Sequence, residues 1–126
     1  MGNLKNAEEY KLKALKIQQN LFGENHSDTA ISYNNLGMLY CNMGNLEKAE
    51  EFHLKALKIH QSLYGENHRN TTDSYINLGM LYYSLNKIEL GKEYLTKAYN
   101  VSLKLYGADD PQTKDLNLII KQLNFE

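Results

Sequence analysis

The sequence predicts an all-α fold, a solenoid of antiparallel helix pairs with two helices in each of three units. Internal repetition is the first reason: residues 35–40 return as 77–82, and residues 23–26 return as 65–68, always at an offset of 42. The second is the spacing of apolar residues at three and four positions, which is typical of amphipathic helices. Repeats of this length form units that bury their apolar faces only against neighbouring units.

One domain is predicted over residues 1–126, divided into units 1–42, 43–84 and 85–126. A chain of this length suits a single domain. The first two units match at most positions, whereas the third is eroded but still repeats the motif Leu105-Tyr106-Gly107. The last helix, at about 111–124, is expected to be a capping helix, because polar residues such as Lys121 replace apolar ones on its outer side.

The second helix of a unit is clearest from about residue 46 to 64, where apolar residues such as Phe52 and Ile59 follow helical spacing. Gly65 is expected to end this helix, because glycine accepts the left-handed conformation past a helix end. The equivalent glycines are Gly23 and Gly107.

First helices are predicted over about 28–43 and 69–84. Gly37 has no side chain, so a partner helix can approach it closely. Ala49 and Ala56 are the small residues expected to receive that approach.

Two histidines recur at the start of the first helices. His26 and His68 stand where the third unit has Asp110, which reads as a capping side chain followed by Pro111 at the first helical position. No Cys, Asp or Glu lies near either histidine at metal-ligand spacing. We therefore expect a capping or loop hydrogen-bonding role, and neither a metal site nor a cofactor.

The pattern Leu36-Gly37-x-x-Tyr40, followed by Ala49 and Ala56, resembles the tetratricopeptide repeat. The 42-residue length and the Gly-x-x-His loop resemble more particularly the long repeats of kinesin light chains. The resemblance implies a right-handed α-solenoid whose first helices line a concave groove that binds peptides. The equivalent residues of the later units are Leu78, Gly79, Tyr82 and Ala98. Departures include Phe52 beside His53 and Gly91 in place of the first alanine of the third unit, and they are expected to affect packing detail only.

The resemblance places polar and apolar side chains together along this groove. Asn35 and Asn77 could bind a peptide backbone or a carboxylate, because side-chain amides both donate and accept. Methionine supplies an adaptable apolar floor. The alternative is that the asparagines bond neighbouring helices and the methionines fill gaps. The predicted groove residues are Asn34, Asn35, Met38, Asn42, Asp73, Ile76, Asn77, Met80 and Tyr83.

Asp73 and Asp115 occupy positions where a clamp for a carboxylate would need basic residues. A carboxylate would be repelled there. The expected partner is therefore a peptide or protein segment that is neutral and partly apolar, or that carries a basic residue near Asp73.

Composition excludes other partners. The formal net charge is −1 and no basic stripe appears, which disfavours nucleic acid. No apolar run is long enough for a membrane span and no signal-peptide pattern opens the chain. The single cysteine, Cys41, has no disulfide partner within the chain, which favours a cytoplasmic location.

The N-terminal helix keeps Leu4, Ala7 and Ala14, the residues that receive a preceding helix in the other units. With no cap over this stripe, either upstream repeats have been removed or the stripe pairs with another copy. For the isolated chain we expect a homodimer formed through the first helix. No enzymatic function is expected, because Cys41 is far from the capping histidine of its own helix and no phosphate-binding glycine loop exists.

Three hypotheses stay open: a peptide-binding scaffold or adaptor, a structural or self-associating solenoid fragment, and an engineered array without a ligand. Groove positions change between units, for example Asn34 to Ile76, while the packing positions stay fixed, and this favours a natural sequence.

Overall fold

The computed structural model describes residues 2–124, and every regular element within that range is an α-helix. Met1 and residues 125–126, at the two ends of the predicted domain, lie outside the described residues. The all-α prediction is confirmed, and the bounds of the predicted helices agree with the structure to within one residue. The helices are α1 (Gly2–Phe22), α2 (Ser27–Asn42), α3 (Leu46–Tyr64), α4 (Arg69–Ser84), α5 (Ile88–Tyr106) and α6 (Pro111–Asn124).

The chain divides into two compact units, Met1–Leu63 and Tyr64–Glu126. The first unit holds α1, α2 and all but the last residue of α3, and the second holds α4, α5 and α6. The single domain proposed over residues 1–126 stays a prediction.

The capping role predicted for the repeated histidines is confirmed. Nδ1 of His26 accepts a hydrogen bond from the N–H of Asp28 at 3.0 Å, and Nδ1 of His68 accepts one from the N–H of Asn70 at 3.0 Å. Asp110 does the same for α6, through its carboxylate. A side-chain acceptor at this position satisfies an N–H group that the first turn of a helix leaves unpaired.

Each capping histidine also stacks on the aromatic residue that ends the preceding helix. The ring centroids of Phe22 and His26 are 4.5 Å apart, and those of Tyr64 and His68 are 4.2 Å apart. The glycine between them has a positive φ, 83° at Gly23 and 78° at Gly65. The expected helix ends are thus confirmed, and the stack orients the chain entering the next helix.

Aromatic side chains form the core of the first unit. Tyr33 and Tyr40 of α2 are each 2% exposed, and the rings of both lie against Phe52 of α3. The hydroxyl of Tyr40 donates to Glu8 of α1 at 2.7 Å. Through this bond α2 also contacts α1, and the hydroxyl of the buried tyrosine has a hydrogen-bond partner.

The close approach at Gly37 differs from the one expected. A Cβ atom added to Gly37 would lie 2.6 Å from the imidazole of His53, whose ring atoms are its nearest neighbours. The helix that approaches Gly37 therefore presents His53 there, and not Ala49 or Ala56, although both alanines are fully buried.

In the second compact unit, the equivalent close approach at Gly79 involves an apolar side chain in place of the imidazole. A Cβ atom on Gly79 would lie 2.7 Å from Leu95, which stands 42 residues after His53. The backbone oxygen of Gly79 would lie 3.0 Å from a Cβ atom on Gly91. Gly91 thus allows α4 and α5 to come close, which is the physical reason for the glycine that replaces alanine in the third repeat.

Candidate peptide-binding surface

In the first unit, the predicted binding residues divide into two classes. Asn35, Met38 and Asn42 of α2 are exposed. Asn34 is half-buried, and its side-chain oxygen lies 2.9 Å from Nδ1 of His53. For Asn34, the alternative that the amide bonds a neighbouring helix is therefore the one that the structure supports.

His53 contacts the predicted binding residue Asn34, and it was not identified from the sequence. Its side chain is 2% exposed, and burial lowers its pKa from 6.5 to about 4. The ring is therefore neutral at neutral pH, and the Nδ1–H tautomer donates to the oxygen of Asn34. This bond uses one of the two acceptor positions of the Asn34 oxygen and leaves the amide N–H groups free of His53.

A comparison of the repeats carried the missing signal. The second compact unit, residues 64–126, has Ile76 at the position of Asn34 and Leu95 at the position of His53, each 42 residues later. One polar pair has become an apolar pair between copies. Two positions that change together in this way are expected to be in contact, and the structure places Asn34 and His53 in contact.

The second unit contains an apolar cavity of about 230 Å³ between α4 and α6. The lining residues are Met80, Tyr83, Ile119, Gln122 and Leu123. Met80 and Tyr83 were among the predicted binding residues, whereas the three residues of α6 were not. Small-molecule sites usually measure about 300–1,000 Å³. A cavity below that range suits a single side chain of a peptide.

Two unpaired amides lie on the predicted surface, one in each unit. Asn35 is exposed and Asn77 is half-buried. Within residues 2–124, neither side chain forms a hydrogen bond. A helix-to-helix bond, the structural alternative for these two asparagines, therefore has no counterpart in the described part of the chain.

A second cavity of the same unit measures about 640 Å³ and is mainly polar. Tyr83 lines both cavities. Beyond it lie Asn86 and an ion pair between Glu89 and Lys92, whose charged atoms are 3.5 Å apart. The surface next to the apolar cavity thus changes from apolar to polar at Tyr83.

Three features bear on other kinds of function: a reactive cysteine, a cluster of metal ligands and a membrane-spanning helix. Cys41 is half-buried, and this burial raises the pKa of its thiol, which lowers the fraction of reactive thiolate. Among residues 2–124, no three His, Cys, Asp or Glu side chains cluster as metal ligands. In the same range, none of the helices combines the length and apolarity that a membrane span requires.

The N-terminal helix presents a wide apolar stripe. Tyr10 is 72% exposed, Ile17 57% and Leu21 69%. Of the residues predicted to mediate self-association, Ala14 is exposed. The other two, Leu4 and Ala7, are half-buried.

Solved structures similar to this one cover nearly the whole chain. The crystal structure of BtubC (BKLC) from P. vanneervenii has a TM-score of 0.87 and 28% sequence identity over 97% of this chain and 49% of that chain. The Podosopora anserina putative kinesin light chain with nearly identical TPR-like repeats has a TM-score of 0.86 and 17% identity, over 97% of this chain and 58% of that chain. The chain thus spans about half the length of these neighbours. No curated protein sequence matches it.

A family model agrees with the structural neighbours. The model described as tetratricopeptide repeat matches residues 1–41 and 28–104, which together cover most of the sequence. The match includes the Leu-Gly-x-x-Tyr motifs of α2 and α4, and the neighbours confirm a solenoid of helix pairs. Proteins of this family are scaffolds for protein interactions. Sequence motifs, helix pairing and the family model agree, and the chain belongs to the tetratricopeptide repeat family.

Proposed function

We propose that the chain binds a peptide segment of another protein through the faces of its first helices. The observation that carries the proposal is the apolar cavity between α4 and α6. The unpaired amide of Asn77 lies about one helical turn before Met80 on α4. Met80, 44% exposed, forms an adaptable wall. An apolar side chain would enter the cavity while Asn77 bonds the peptide backbone.

The first unit offers a surface of the same kind on α2. Asn35 there has the position of Asn77, and Met38 has the position of Met80. Cys41 stands where the second unit has Tyr83. The proposed contact residues are Asn34, Asn35, Met38, Asn42, Asp73, Ile76, Asn77, Met80 and Tyr83.

A scaffold or adaptor role in the cytosol, without catalysis, fits this arrangement. One of the similar structures is of a putative kinesin light chain, and that description belongs to that protein. For this chain we propose only the general role of a scaffold, which holds the protein that carries the bound peptide.

A peptide-library selection on the immobilised chain tests the proposal, in parallel with a variant carrying Asn35→Ala and Asn77→Ala and with a Met80→Asp variant. We expect the parent to select a peptide consensus that both variants lose. Leu103→Asp is the matched control, because Leu103 is an exposed apolar residue of α5 outside the cavity. A parent that selects no consensus, or a consensus that survives in both test variants, contradicts the proposal.

Self-association through α1 is the second candidate, and the exposed stripe of this helix favours it. Ala7, Tyr10, Ala14, Ile17 and Leu21 follow an alternating spacing of three and four residues. This is the spacing of a helix-pairing seam, and a seam of this kind can pair with its own copy. The proposed complex is a homodimer in which the two α1 helices cover one another.

A further inference from the structure

Two carboxylates lie on the same helical stripes as the apolar cavity. Asp73 precedes Met80 by seven residues in α4, and Asp115 precedes Gln122 by seven residues in α6. Residues seven apart lie on one face of a helix. At a rise of about 1.5 Å per residue, each carboxylate is about 10 Å from the cavity along its helix.

The charges of these carboxylates are not used inside the protein. Asp115 is exposed and Asp73 is half-buried. Among the described residues, neither side chain has a hydrogen bond or an ion pair. Arg69, one turn before Asp73, forms no ion pair with it. Two equivalent carboxylates, one on α4 and one on α6, therefore lie at this end of the surface without an internal ion pair.

We infer that the bound peptide carries one apolar anchor residue and one lysine or arginine three residues away from it. The inference rests on the proposed peptide-binding function and specifies its ligand. The apolar side chain occupies the cavity beside Met80, and the cation lies between Asp73 and Asp115. A polyproline II segment rises about 3.1 Å per residue with three residues per turn. Positions three apart are then about 9 Å apart on one side of the peptide, which matches the separation of cavity and carboxylates.

The carboxylates also define what the site rejects. An acidic residue at the same spacing would face two like charges and bind more weakly. Because the pairing is close to the surface, salt should weaken it, whereas burial of the apolar anchor should persist.

The test uses the consensus selected by the parent chain, synthesised as a labelled peptide, with fluorescence anisotropy as the readout. One variant carries Asp73→Asn and Asp115→Asn, which preserve side-chain shape while removing both charges. The charge-matched control carries Glu47→Gln and Glu93→Gln, two exposed carboxylates of α3 and α5. Circular dichroism checks that every variant remains helical.

We expect a consensus with the apolar and basic residues three positions apart, in either chain direction. The Asp73 and Asp115 variant should bind it about three- to tenfold more weakly, the range set by two exposed ion pairs. High salt should bring the parent close to that variant, and the glutamate control should match the parent.

The possible failures are distinct. A consensus that depends on Met80 but lacks a basic residue, or an affinity unchanged by the asparagine substitutions, overturns this inference and leaves the proposed function standing. The absence of any consensus overturns the proposed function itself.

Discussion

The environment of Gly37 shows how a single residue determines what its neighbour can be. The imidazole of His53 lies where a side chain on Gly37 would be, and the amide of Asn34 holds the ring in place. Burying an imidazole is costly unless its polar atoms are bonded. The glycine supplies the space and the asparagine supplies the bond.

Replacing Gly37 by alanine should therefore destabilise the protein. Alanine favours a helix over glycine by about 1 kcal/mol, but overpacking typically costs about 1–3 kcal/mol. We expect a net loss of about 1 kcal/mol in the free energy of unfolding, measured by urea denaturation. With His53→Ala in the background, the same change should become stabilising, because the clash is gone. Equal effects of Gly37→Ala in both backgrounds would contradict the contact, and Asn35→Ala serves as an exposed control.

His53 should also make stability depend on pH. Its pKa is about 4 in the folded chain, against 6.5 for an ordinary histidine. Between these values the unfolded chain binds more protons, so the free energy of unfolding falls as the pH is lowered from 6.5 towards 4. The full shift corresponds to about 3 kcal/mol at most.

The second unit supplies the control for this effect. A variant with Asn34→Ile and His53→Leu copies the apolar pair found 42 residues later. Urea midpoints measured from pH 7.5 down to pH 4.5 should fall less steeply for this variant than for the parent. The other titrating groups are common to both proteins and cancel. Identical pH profiles would show that His53 is not the source.

At the scale of the helix, each repeated histidine has two roles, capping and stacking, whereas the aspartate of the third copy has only the capping role. His68 caps α4 through Nδ1 and stacks on Tyr64. Asp110 of the third copy caps α6 through its carboxylate, and a carboxylate has no ring to stack on Tyr106. The sequence difference between the copies thus separates capping from stacking.

Substitutions at His68 should reveal the two contributions. His68→Ala loses both, and the cap alone is worth about 1 kcal/mol. His68→Asp keeps the cap and loses only the stack. We expect the thermal midpoint to fall in the order parent, aspartate variant, alanine variant. An aspartate variant as unstable as the alanine variant would show that the side-chain acceptor contributes little.

The helices and their ends could be predicted because local sequence determines them. Apolar spacing defined α3, and Pro111 and Gly65 marked where helices begin and end. His53 was missed because its burial depends on Gly37, a residue of another helix that periodicity alone does not reveal. Ile119 and Leu123 were not predicted as site residues, because an unfilled space between α4 and α6 depends on three-dimensional packing.

For the whole molecule, the stripe on α1 predicts the oligomeric state. We expect light scattering to give the mass of two chains for the parent and of one chain for a Tyr10→Glu, Ile17→Lys variant. Both residues are exposed, so the charges should spare the fold of the protomer. Leu12→Glu, on another side of the same helix, is the control and should remain dimeric. A parent that is monomeric at every concentration tested contradicts the dimer.

The central claim is that α4 and α6 hold a peptide side chain between them, and methyl NMR tests it most directly. The chain would be labelled at methionine and isoleucine methyl groups and titrated with the peptide selected by the parent. The account predicts that the signals of Met80 and Ile119 shift together with peptide concentration, while Ile17 of α1 stays unchanged. Shifts at Ile17 without shifts at Met80 and Ile119 would contradict it, because the peptide would then bind elsewhere.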